Sequence, residues 1–151
     1  MNEVFLSVGS NIEPEKNIPA CLKILKETFP VKKTSSIYET DPVGSAGNRK
    51  FWNLAVLIET GLARKALIKE LQKIEASLGR QRDPHDKFAP RSIDLDIVPA
   101  PDYLEQPFVM IPLAEIAPGT VDPDSGRTFA AWAEGHIEKG YKFRRVEIKK
   151  E

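Results

Sequence analysis

The sequence predicts an α+β fold, an antiparallel-rich sheet with helices packed on it. Short β-prone runs recur at Val4–Val8, Val31–Thr40, Phe51–Thr60 and Ser92–Val98, and two amphipathic stretches stand between them. Their order is strand, helix, strand, strand, helix, strand, the split βαβ pattern of ferredoxin-like sheets. No repeat, low-complexity tract or linker divides the chain, so residues 1–151 are expected to form one domain.

Val4-Phe5-Leu6-Ser7-Val8 is apolar and β-prone, and Gly9-Ser10-Asn11 reads as the turn that stops it. Ile18, Cys21, Leu22, Leu25 and Phe29 then recur at three- and four-residue steps, one stripe of a helix. Proline is tolerated in a helix's first turn, so Pro14 and Pro19 set the start near 14–17, and Pro30 ends it. Val31 to Thr40 reads as a strand, and 41–48, DPVGSAGN, as a loop. Phe51 to Thr60 is a strong strand. Leu67, Leu71, Ile74 and Leu78 mark a second helix with Gly79 just past its end. Residues 80–90 are charged and irregular. Ser92 to Val98 is strand-like, and a proline-rich stretch follows it. Thr128 to Ile137 has helical patterning, and Tyr141 to Ile148 reads as a final strand.

Composition narrows the function. The chain has 22 Lys and Arg against 22 Asp and Glu, a net charge of zero, which argues against a protein that coats nucleic acid or anionic membrane. Tyr141-Lys142-Phe143-Arg144-Arg145 is a basic run, but on a strand it is expected to be a solvated edge rather than an RNA contact. No apolar run approaches the roughly 20 residues of a membrane span. Met1-Asn2-Glu3 carries an acid where a secretory signal wants bases, so a cytoplasmic protein is expected. With a single cysteine, Cys21, no internal disulfide and no multi-thiolate zinc site can form.

The most informative segment is 90–98, PRSIDLDIV. On a strand alternate residues share a face, so Asp94 and Asp96 point together while Ile93, Leu95 and Ile97 point to the core. Their Cα atoms lie about 7 Å apart, close enough for both carboxylates to converge on cations. An Asp-x-Asp by itself more often faces solvent beside lysines or arginines. Here Arg80, Arg82, Lys87 and Arg91 crowd just upstream, and cations beside paired acids suit a polyphosphate with bound Mg²⁺. Gln72 and Glu75, three apart on the second helix, share a face at the edge of its buried stripe.

These residues resemble a family. Residues 79–82, GRQR, and 87–97, KFAPRSIDLDI, look like the signature of hydroxymethyl-dihydropterin pyrophosphokinases. The opening 5–12, FLSVGSNI, the stretch 35–44, SSIYETDPVG, the strand start 51–56, FWNLAV, and 108–118, FVMIPLAEIAP, resemble further blocks of that family in the expected order. The resemblance covers about Val4 to Pro118. It implies transfer of the β,γ-pyrophosphate of ATP to the substrate's hydroxymethyl group, with release of AMP, in folate biosynthesis. It also implies that Asp94 and Asp96 ligate two Mg²⁺, that Arg82, Lys87 and Arg91 meet phosphates, and that Gln72, Glu75 and Ile97 lie by the nucleotide. The pterin would stack between Phe51 and Phe108, with Phe88 closing over it. Asn53 and the backbone of Thr40, Asp41, Pro42 and Val43 would read its polar edge. Small-molecule substrates and a monomer are expected.

The chain also departs from the pattern. The stretch after the Asp-x-Asp strand is short, 99–107, and lacks the usual Pro-His pair, while Gln106 stands where an arginine is expected. Asp41 replaces a proline, Phe51 stands at a tyrosine position, and the loop from Arg82 to Phe88 is one residue longer. Neither His85 nor His136 is given a role. A lost donor to the transferring group can cost roughly 3–4 kcal/mol of barrier. Two alternatives therefore stand beside the kinase: a Mg²⁺-dependent transferase using another heterocyclic alcohol, and a non-catalytic module binding nucleotide or pterin.

Overall fold

In a computed structural model the described residues are 1–40, 50–79 and 92–147. The elements run β1 (Asn2–Ser10), α1 (Pro14–Thr28), β2 (Val31–Thr34), β3 (Ile37–Thr40), β4 (Phe51–Thr60), α2 (Arg64–Ser77), β5 (Asp94–Val98), α3 (Pro107–Ile116), α4 (Phe129–Glu138) and β6 (Arg144–Val146). A short 3₁₀ turn at Tyr103–Glu105 leads into α3. The sheet order is β5-β1-β4-β3-β6, with β2 also paired to β4, and the described pairings are antiparallel. Central β1 lies between β4 and β5, the split βαβ order expected from the sequence.

The strand alternation sorts side chains onto two faces. Leu6 and Val8 of β1, Leu54, Val56 and Ile58 of β4, and Leu95 of β5 form one core with Ile18, Cys21 and Leu25 of α1 and Leu67, Leu71 and Ile74 of α2. The opposite parity, Ala55, Leu57 and Val98, packs against Val109, Met110, Leu113 and Ile116 of α3 and Phe129 of α4. Both helical layers therefore follow from a period of two along the same strands.

Several local expectations are refined. The run 31–40 is two strands, because the Ser35 amide and hydroxyl turn to Ala55: Ser35 N–H donates to Ala55 O, and Ala55 N–H to Ser35 Oγ, each at 2.8 Å. Gly9 lies inside β1 rather than in a turn. Pro19 lies in the second turn of α1, within the helix. Gly79 has φ 87°, the left-handed conformation expected of a residue just past a helix. The final strand is only three residues long. The unforeseen element is α3. Its segment is apolar nearly throughout and carries Pro112, so no polar face reveals a helical period. It forms because it is buried between the sheet and α4.

Candidate active site

Among the described residues the second face opens, beside the first turn of α3, into a cavity of about 620 Å³, floored by β5, β1, β4 and the end of β3, within the usual range for a small-molecule site. Asp94 and Asp96 line it together, as their spacing requires, and β5 is an edge strand. Asp94 is half-buried and Asp96 exposed. The register sets Asp94 opposite Gly9 and Asp96 opposite Ser7. Two of the smallest side chains thus flank the acids, which leaves room above β1 for whatever the carboxylates hold.

Gly9 has a second, measurable reason to lack a side chain. A Cβ there would meet Asn53 Oδ1 at 2.8 Å and Phe51 Cε1 at 3.3 Å. Gly9 pairs with Asn53 across the β1–β4 ladder, so the amide and the ring lie over bare backbone. Asn53 is buried and Phe51 half-buried. Phe108, 39% exposed on the first turn of α3, lines the same cavity, so two aromatic side chains border it. Thr40 completes the group at the end of β3.

The strand carrying the acids is held from behind. Glu75 is 2% exposed, and its Oε2 accepts the Leu95 N–H at 2.8 Å. Leu95 lies between the two aspartates, so a buried carboxylate from α2 supplies an acceptor that an edge strand would otherwise lack. Gln72 is exposed, and Ile97 is half-buried against the α1–α2 core. Ser10 Oγ donates to Ser92 O at 2.6 Å and fixes the chain entering β5. Burial, then the Glu75 charge, push the Cys21 thiol up to about 12, so it stays protonated and inert at neutral pH.

The far wall comes from the C-terminal segment, whose Lys142, Arg144 and Arg145 are exposed at the edge of the described sheet, as the sequence predicts. Gly140, Tyr141 and Lys142 line the cavity. Glu39 fixes that segment: its Oε1 accepts Arg144 Nε at 2.8 Å, Lys50 Nζ lies at 3.5 Å, and its Oε2 accepts Trp52 Nε1 at 2.8 Å. The Arg144 hydrogen bond holds the Glu39 carboxyl below its usual range, against the opposite push of burial. On the other side of the strand Phe143 packs edge-on against Tyr38 at 5.4 Å, and Tyr38 donates to Glu115 of α3. The basic run is thus strapped to β3. His136 meets Leu104 O at 2.7 Å through Nε2, a contact between α4 and the 3₁₀ turn rather than a catalytic one.

Of the residues singled out from the sequence, Asp94, Asp96, Phe51, Asn53, Phe108 and Thr40 come together around one cavity, and Gln106 joins them. Asp41, Pro42, Val43, Arg80, Arg82, His85, Lys87, Phe88 and Arg91 lie outside the described residues. Ser7 and Gly9 were legible in principle, since their parity on β1 faces them away from Leu6 and Val8. Residues 140–142 carried no such signal.

Two hard carboxylates line this cavity, and among the described residues no group of three or more His, Cys, Asp or Glu could hold a metal ion. That donor set suits Mg²⁺ shared with substrate phosphates better than a cage made wholly of protein ligands. Among the described residues no helix is long and apolar enough to cross a membrane.

Residues 5–118 match the family model described as 7,8-dihydro-6-hydroxymethylpterin-pyrophosphokinase. The chain is 39% identical to the 2-amino-4-hydroxy-6-hydroxymethyldihydropteridine pyrophosphokinase of Bacillus subtilis, over 76% of this chain and 78% of that one. It is 36% identical to the protein of that name from Pseudomonas aeruginosa, over 82% and 86%. A folate synthesis bifunctional protein of Arabidopsis thaliana is 30% identical over 91% of this chain, which spans 31% of that longer protein.

Proposed function

The chain belongs to the 7,8-dihydro-6-hydroxymethylpterin-pyrophosphokinase family, and from that premise we propose that the open face of its sheet is the site of the family's reaction. The reaction is ATP-dependent transfer of a pyrophosphoryl group to the hydroxymethyl group of the dihydropterin, releasing AMP, in folate biosynthesis. The observation that carries the assignment is the meeting, in one cavity, of two aspartates from one face of β5 with two phenylalanines from β4 and α3.

In this reading the pterin lies between Phe51 and Phe108, with the Asn53 amide and Thr40 at its polar edge. Its hydroxymethyl arm then points to Asp94 and Asp96. Two Mg²⁺ ions, when bound there, neutralise phosphate charge and lower the pKa of the attacking alcohol. The protein's own part is positioning. Asp94 and Asp96 would hold the metal ions that meet the triphosphate, Glu75 steadies their strand, and the aromatic pair holds the acceptor oxygen in line with the β-phosphorus. Arg82, Lys87, Phe88 and Arg91 are proposed to meet the phosphates and cover the site, and Asp41, Pro42 and Val43 to border the pterin. Gln72 and Ile97 are proposed to lie by the nucleotide. One domain acting as a monomer in the cytoplasm completes the proposal.

Purified protein incubated with ATP, Mg²⁺ and 6-hydroxymethyl-7,8-dihydropterin should release AMP in step with pterin diphosphate. No AMP above an enzyme-free blank would defeat the assignment. AMP release with another heterocyclic alcohol, and none with the pterin, would favour a different acceptor.

A further inference from the structure

The cavity spans β5, β1, β4 and β3 in that order, so its two ends differ in charge. At the β5 end stand Asp94 and Asp96; at the β3 end stands Lys142. Lys142 is the only cationic side chain among the cavity's described lining residues, and it forms no ion pair among the described residues. Its neighbours are committed elsewhere: Arg144 and Lys50 bind Glu39, and Arg145 lies 4.0 Å from Glu115. Lys142 also borders a smaller pocket of about 170 Å³, which Glu39, Thr40, Lys50 and Arg144 help to line. The segment's backbone is fixed two residues further on by the Glu39–Arg144 pair, so a flexible side chain starts from a fixed point. It also lies beyond residues 5–118, outside the part of the chain that the family model matches.

We propose that Gly140–Lys142 forms the closing wall of the acceptor pocket and that the Lys142 ammonium donates to the carbonyl edge of the bound heterocycle. The inference rests on the pterin reading. With the hydroxymethyl arm at the aspartates, the pterin's other ring, which carries the amino group at its tip and the carbonyl oxygen on the adjoining edge, lies toward Thr40 and Lys142, and of those two groups the carbonyl is the one that accepts from an ammonium. A charged donor on that oxygen is a stronger partner than a neutral one. It rewards a heterocycle with an acceptor there and penalises one with an amino group in its place.

The test is equilibrium binding of fluorescent 6-hydroxymethylpterin, with Mg²⁺ and a non-hydrolysable ATP analogue present. Lys142→Ala is expected to raise the pterin Kd roughly tenfold, about 1.4 kcal/mol, and to leave the Kd of the ATP analogue within twofold. Lys142→Arg should stay within about threefold of the unsubstituted chain. Because Lys142 is exposed, the melting temperature should hardly move. A pterin Kd within twofold in Lys142→Ala, or an equal loss of pterin and nucleotide affinity, overturns the inference and leaves the kinase reading standing. Failure of the unsubstituted chain to bind pterin at all overturns both.

Discussion

The two faces of the sheet are built from the same three strands and behave as different materials. On one face Leu6, Val8, Leu54, Val56, Ile58 and Leu95 meet α1 and α2 in a closed core, and many of these side chains lie at or near zero exposure. On the other, the same strands alternate Ser7, Gly9, Phe51, Asn53, Asp94 and Asp96 around a cavity. One-residue alternation is enough to separate a stabilising face from a binding face, because neighbouring side chains never share a side. The difference teaches where substitutions should be felt. Changes on the covered face should act on folding, and changes at the cavity residues of the other face on ligands.

The largest expected effect tests the open face. Asp96→Ala should lower turnover by a thousandfold or more and weaken Mg²⁺-dependent nucleotide binding, since it halves the acidic pair. Its melting temperature should stay near that of the unsubstituted chain, because Asp96 is exposed. Unchanged turnover would remove the acidic pair from the mechanism.

The counterpart on the covered face is Leu6→Ala, at a side chain with 0% exposure. Denaturant unfolding should show a loss of about 3–5 kcal/mol. The Michaelis constants, measured well below the melting temperature, should stay within about twofold. A selective rise in the pterin constant would show that the faces are coupled.

Glu75 sharpens the comparison because it belongs to the covered side and holds the strand that serves the open one. Glu75→Ala leaves the Leu95 N–H without its acceptor, a loss of about 1–3 kcal/mol, and should weaken Mn²⁺ binding, followed by electron paramagnetic resonance, about fivefold. Glu75→Gln keeps an acceptor at the same reach and should recover most of the Mn²⁺ affinity. If the two variants bind Mn²⁺ equally poorly, the charge rather than the hydrogen bond is what the strand needs.

Much of this was legible beforehand. The alternation in 92–98 assigned Asp94 and Asp96 to one side and the isoleucines and leucine to the other, and the structure keeps that division. The stripes of α1 and α2 were equally readable, since an amphipathic helix at a surface must show its period. Helix α3 was not, because a segment buried on nearly all sides has no polar face to betray it. Nor was the place of Tyr141 and Lys142 in the site. They lie more than forty residues from Asp96 in sequence, and they reach its cavity through the pairing of β6 with β3.

The sequence by itself determined the succession of strands and amphipathic helices as far as β5, apart from the break within 31–40, which face the residues of β5 take, and the acidic pair, because these depend on spacing within a few residues. Only the tertiary structure decided that β5 is an edge among the described strands, that small residues of β1 lie opposite its acids, and that residues 140–142 line the cavity. Those facts depend on which distant strands pair and in what register. Such pairing is set by the burial of the whole core, which no local window of sequence contains.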